Sequence, residues 1–129
     1  MNDKAYMTVT DNKAEIHLPA GVTVKVKVKT NSQLTQKMTL KDNIGRVDLE
    51  FTGTGEQNTI GDKTITPVPG SLFTAVFEYT GPDGVFKPSK LNSGGPYDIG
   101  SYHMMVIVAE NGDDTDYNDT ILELSWYAK

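Results

Sequence analysis

Valine occupies every second position from Val22 to Val28, with Thr23, Lys25, Lys27 and Lys29 interleaved. A period of two places the valines on one side of an extended chain and the hydroxyl and ammonium groups on the other, so this segment predicts a strand with one buried face. Shorter runs rich in Val, Ile, Thr, Phe and Tyr recur at 14–18, 37–41, 46–51, 71–79, 101–109 and 120–127. Such side chains suit a pleated, half-buried surface. Between them, GTGEQN at 53–58, TPVPG at 66–70, TGPDG at 80–84 and LNSGGPYDIG at 91–100 carry the Gly, Pro and Asn/Asp of turns. No segment has a convincing 3.6-residue period. Strands without crossover helices must pair antiparallel, which predicts an all-β fold, an antiparallel β-sandwich of about nine short strands. Residues 1–13 read as a polar N-terminal extension or edge strand and 14–129 as the sandwich itself. Leu122, Leu124 and Trp126 alternate along the last strand and are expected in the core.

The 129 residues suffice for one domain, and no apolar run approaches the roughly 18 residues of a membrane span. Membrane insertion is not expected. The opening MNDKAYMTVTDNK lacks the apolar stretch of a secretory signal, which predicts a cytoplasmic pool with non-classical export to the cell surface or extracellular space. Cysteine is absent and the histidines are two, His17 and His103, so disulfides, thiolate chemistry and nitrogen- or sulfur-rich metal sites are excluded. Any metal must be held by oxygen. Seventeen acids face twelve bases, a balance that argues against a nucleic-acid partner. Five of those acids, Glu110, Asp113, Asp114, Asp116 and Asp119, lie within ten residues, and the other twelve match the bases. The whole negative excess sits in one segment.

Carboxylates crowded this closely repel one another, which leaves two readings of 108–121: a solvated charge run or a cation site. Asp114, Asp116 and Asn118 alternate while Glu110 and Asp119 flank them, and calcium takes about six to eight oxygens from such carboxylates, amides and water. An EF-hand is excluded, because Asp119 stands where that loop needs Gly, Ser125 where it needs Glu, and strands rather than helices flank the segment. Five carboxylates exceed what one calcium ion neutralises, so two adjacent ions sharing Asp116 and Asp119 balance the segment better. Asn118-Asp119-Thr120 fits the N-glycosylation pattern by coincidence, and the glycine pairs lack the strand-to-helix context of phosphate loops. His17 and His103 read as structural or surface residues. No nucleophile, base and orienting group stand at a legible spacing, so a catalytic site is not expected.

The stretch Glu110-Asn111-Gly112-Asp113-Asp114-Thr115-Asp116-Tyr117-Asn118-Asp119 resembles the calcium loop of the bacterial calcium-dependent fucose/mannose-binding lectins, the LecB-type family. Upstream, Leu18-Pro19-Ala20 leads at that family's spacing to Asn31-Ser32 and then Gln36, and Trp126 stands three residues from the end. The resemblance implies a β-sandwich that binds two neighbouring Ca2+ ions, with a monosaccharide whose vicinal hydroxyls reach both. By position, Glu110, Asp114, Asp116 and Asp119 hold one ion, and Asn31, Asp116, Asn118 and Asp119 the other. The resemblance also implies a sugar site made of Ser32, Gln33, Asn111, Asp114, Asp116 and Asp119, and a homodimer or higher oligomer in which the terminal carboxylate, here on Lys129, reaches the partner subunit's calcium.

The chain departs from that family at three places. Asn111 replaces an acidic side chain and offers a weaker hydrogen bond to a sugar hydroxyl. Gln33 and Leu34 are bulkier than the small residues that tune fucose against mannose, and Lys129 replaces glycine. The expected function is non-enzymatic binding of fucose/mannose-containing glycans. The alternative is a structural or adhesive sandwich that calcium rigidifies without sugar. A glycosidase is a weaker third reading, because its acid and base need separate environments that consecutive carboxylates do not have.

Overall fold

The predicted alternation persists far beyond the valine run. Along β3 (Val24–Asp42), Val24, Val26, Val28, Thr30, Ser32, Gln36, Met38 and Leu40 are all buried, and the intervening residues face outward. The computed structural model describes residues 4–81, 83–110 and 119–128. In chain order the other strands are β1 (Tyr6–Thr10), β2 (Lys13–His17), β4 (Asp48–Ile65), β5 (Phe73–Thr80), β6 (Phe86–Pro88), β7 (Lys90–Ile99), β8 (Tyr102–Glu110) and β9 (Thr120–Tyr127). Every pairing is antiparallel, and the described residues contain no helix.

Strand β3 belongs to two layers in succession. Its first half pairs with β9, from Lys25↔Ser125 to Thr30↔Thr120, and its second half with β5, from Thr35↔Thr80 to Asp42↔Phe73. The ladder therefore runs β1-β2-β5-β3-β9-β8-β7, with β4 along the other side of β3 and β6 against β5. Folding over at β3 brings the inward faces together. Ile16, Phe73 and Phe77 from one half and Met105, Ile107, Leu122, Leu124 and Trp126 from the other form one cluster with Val26, Val28, Met38 and Leu40. The outer strands β1 and β7 also touch, so the sandwich is nearly closed.

The turn expected at 53–58 lies inside β4, and the one expected at 91–100 is largely β7. β4 must follow β3 around the fold, and it bends where Gly55 (φ +118°) and Gln57 (φ +47°) adopt the left-handed backbone that favours glycine. Its register against β3 shifts at the same place. Past the bend the two halves of β4 close on each other, with the Phe51 ring filling the space that a side chain at Gly61 would need. β7 is an edge strand with a register shift between Gly94 and Tyr97, and its polar, glycine-rich composition suits that exposed position. Tyr6–Thr10 is the strand at the other edge, paired with β2.

Candidate cation and ligand site

The change of partner along β3 leaves residues 31–34 between two registers, past the start of β9 and short of the end of β5. The acidic segment springs from the same place, since Ala109 of β8 pairs with Thr120 of β9, which in turn pairs with Thr30. Two main-chain bonds extend the ladder by one residue: Asp119 N–H donates to the Ala109 carbonyl (3.0 Å) and Asn31 N–H to the Asp119 carbonyl (3.0 Å). Asp119 is thus fastened to β8 on one side and to β3 on the other, and Asn31 is brought to it from 88 residues away in the chain.

Glu110 and Asp119 close the acidic segment at its two ends, and both are buried, at 2% and 5% exposure. Burying a carboxylate costs several kcal/mol unless charges or donors compensate it. Asn31 presents its side-chain oxygen in a fixed direction, because Oδ1 accepts a bond from the Gln57 N–H (2.8 Å) at the bend of β4. Thr30 Oγ1 donates to the Gly55 carbonyl (3.1 Å) and Thr54 Oγ1 to the Ser32 carbonyl (2.8 Å), so β4 grips both sides of Asn31. Ser32 Oγ accepts from Leu34 N–H (3.0 Å), while Gln33 between them points into solvent.

A donor set of two buried carboxylates and an oriented carboxamide oxygen, bracketing further aspartates, is made of hard oxygens and fits Ca2+. Of the residues expected at the site, Asn31, Ser32, Gln33, Glu110 and Asp119 lie on or beside the strand ends at this junction. Asn111, Asp114, Asp116 and Asn118 lie outside the described residues, as does Lys129. Among the described residues no group of three or more His, Asp or Glu side chains comes together.

Sequence reasoning missed a buried polar chain behind the site. The Thr120 hydroxyl donates to Gln36 Oε1 (2.7 Å), and Gln36 Nε2 donates to the Leu34 carbonyl (3.2 Å). The signal was present: Thr30, Ser32 and Gln36 are polar residues at inward positions of an otherwise apolar stripe.

A cavity of about 580 Å³ opens at the opposite end of β8 and β9, its walls including Lys4, Pro19, Pro96, Asp98, His103 and Trp126. There His103 Nδ1 meets Asp98 Oδ1 (2.5 Å), Nε2 meets the Ala128 carbonyl (2.9 Å), and the ring stacks on Trp126. His17 contacts the Lys4 carbonyl and stacks on Tyr6. Both histidines bind main chain and neighbouring rings at that end, the structural role expected of them.

The sequence model of the fucose-binding lectin II (PA-IIL) family matches residues 16–128. The fold is similar to that of the Chromobacterium violaceum lectin CV2L in complex with alpha-methyl-fucoside, at 29% identity and a TM-score of 0.69, over 94% of this chain and 100% of that one. It is also similar to the Ralstonia solanacearum high-affinity mannose-binding lectin, at 26% identity and 0.67, over 87% and 94%. The C-terminal domain of the Burkholderia cenocepacia lectin BC2L-C shares the fold at 24% identity and 0.68, over 93% and 98%. Comparison with curated proteins returns no match.

Proposed function

Because the chain belongs to the fucose-binding lectin II (PA-IIL) family and is a carbohydrate-binding lectin, we propose that it binds fucose/mannose-type monosaccharides through two adjacent Ca2+ ions, without catalysis. The observation that carries this reading is the bond from Asn31 N–H to the Asp119 carbonyl. It fastens a lone asparagine on β3 to the end of the acidic segment, where an amide oxygen complements carboxylates around a hard cation. Glu110, Asp114, Asp116 and Asp119 are the proposed ligands of one ion, and Asn31, Asp116, Asn118 and Asp119 those of the other. Bound there, the ions supply open coordination positions for vicinal hydroxyls of a pyranose.

The chain's own residues set the geometry around those positions. Gln57 N–H orients the Asn31 oxygen, and the two ladder bonds hold Asp119. Ser32, Gln33 and Asn111 offer hydroxyl and amide groups to the sugar rim, so that the order of axial and equatorial hydroxyls decides which sugar fits. The assembly proposed is a homodimer or larger, in which repeated sites add avidity.

Thermal melting with calcium, with chelator, and with calcium plus L-fucose, D-mannose or D-galactose tests this reading. Ligand that binds the folded state alone raises the midpoint, by the equivalent of about 2.7 kcal/mol at a hundredfold excess over Kd. The expected result is a rise with calcium and a further rise with fucose or mannose, both abolished by chelator. A calcium effect indifferent to sugar supports instead a sandwich that the ions merely rigidify. No calcium effect overturns both readings.

A further inference from the structure

We propose that Gln36 is a positioning residue, whose buried amide sets residues 32–34 against the start of β9 and thereby governs which sugar the site prefers. The inference rests on the sugar-binding reading above. Gln36 is 0% exposed and occupies an inward position, two residues before Met38 on the same stripe. An apolar side chain there needs no partners, whereas a buried primary amide costs about 1–3 kcal/mol for each group left unsatisfied. Its bonds explain its presence. Oε1 accepts from the hydroxyl of Thr120, 84 positions away in sequence, and Nε2 donates to the Leu34 carbonyl.

Those two partners bracket the place where β3 has left β9 and not yet met β5. Between Thr30↔Thr120 and Thr35↔Thr80, no strand among the described residues pairs with β3 on that side. The Gln36 amide bridges the interval, linking the main chain of Leu34 to β9 one residue after Asp119. Leu34 N–H in turn donates to Ser32 Oγ, so the bridge reaches the buried hydroxyl of a residue proposed for the sugar site. Asp119 itself is held independently, by Ala109 and Asn31. Cutting the bridge therefore loosens residues 32–34 on the side of β9, with β4 still holding Ser32 through Thr54, and leaves Asp119 anchored.

The experiment compares the wild-type chain with Thr120→Val, which removes the hydroxyl at constant shape, Thr120→Ser, which keeps it, and Gln36→Met, which keeps the length without the amide. Calorimetric titration with CaCl2 alone, then with methyl fucoside and methyl mannoside, is paired with amide hydrogen exchange of the calcium-loaded, sugar-free proteins. Thr120→Val and Gln36→Met are expected to weaken the preferred glycoside about tenfold and to change the fucoside-to-mannoside ratio at least about threefold. Calcium affinity stays within about twofold, exchange at residues 32–34 rises at least about tenfold, exchange at Met105 and Ile107 does not change, and Thr120→Ser behaves as wild type. A glycoside ratio and segment exchange that are unchanged in Thr120→Val overturn the proposal, as does a loss in Thr120→Ser equal to that in Thr120→Val. If the wild-type protein binds neither glycoside, the lectin reading has failed, and the exchange arm alone judges whether Gln36 positions the segment.

Discussion

Asp119 is buried at the junction of three strands, and its main chain and side chain do separate work. The main-chain bonds to Ala109 and Asn31 hold the ladder closed, and replacing the carboxylate with a carboxamide leaves those two bonds in place. Asp119→Asn is expected to lose most of the rise in midpoint that calcium gives the wild type. A calcium response equal to wild type contradicts the ligand role. The Phe51 ring makes a different demand, because a methyl group at Gly61 overlaps it. Gly61→Ala is expected to cost about 1–3 kcal/mol, read as a lower midpoint in denaturant at unchanged slope. Residue types were the most legible layer of this site. Oxygen-rich side chains at Glu110 and Asp119 suit a hard cation, and Asn31 was joined to them only by the resemblance. Their burial was not legible, because a glutamate ending an apolar strand looks like a surface residue until β9 and β3 are placed beside it.

Among the elements, β3 was legible as two runs, 22–29 and 37–41, rather than as one strand, β4 only at its start, and β7 not at all. Gly53, Gly55 and Asn58 read as a turn because turns and bulged strands draw on the same residues, and only pairing with β3 distinguishes them. The strands β7, β8 and β9 are also joined by His103, whose two ring nitrogens face an Asp98 carboxylate and an Ala128 carbonyl. Both partners accept, so only the doubly protonated ring satisfies both at once. The Asp98 hydrogen bond holds the His103 pKa above its ordinary 6.5, the Ala128 carbonyl adds to this, and burial opposes it. Among the described residues, Lys4 on the wall of the same cavity is the other charged group there. A raised pKa in the folded state contributes stability below about pH 6.5, and that contribution is lost as pH rises through the raised value. His103→Phe keeps a ring against Trp126 and removes both bonds. The wild-type advantage in midpoint over this variant is expected to be largest near pH 5.5 and to shrink toward pH 9. An advantage that stays flat or grows contradicts the protonated clasp.

At the scale of the whole molecule, charge and architecture converge on one place. The segregation of five acids could be read from composition alone, but the folding of one ladder into two layers could not, because it depends on β3 changing partners partway along. The acidic segment stands at that change, attached by Asp119 to the layer of β8 and β9, while residues 32–34 lead into the layer of β5 and β2. The proposed cations would brace the two layers together, so chelation is expected to lower the midpoint of a single cooperative transition rather than to melt one loop. The proposed pair of ions matches the charge. The formal net charge is -5, one calcium ion brings it to -3 and two bring it to -1. Native mass spectrometry is expected to find two calcium ions per chain, and isoelectric focusing to show a matching shift toward the cathode that chelator reverses. A single ion at saturation removes the shared roles of Asp116 and Asp119, because one dication has no second neighbour to bridge. The two proposed ligand sets then collapse into one, drawn from Glu110, Asp114, Asp116 and Asp119 or from Asn31, Asp116, Asn118 and Asp119. Substituting Asn31 and Glu110 separately decides which, since each belongs to one set alone.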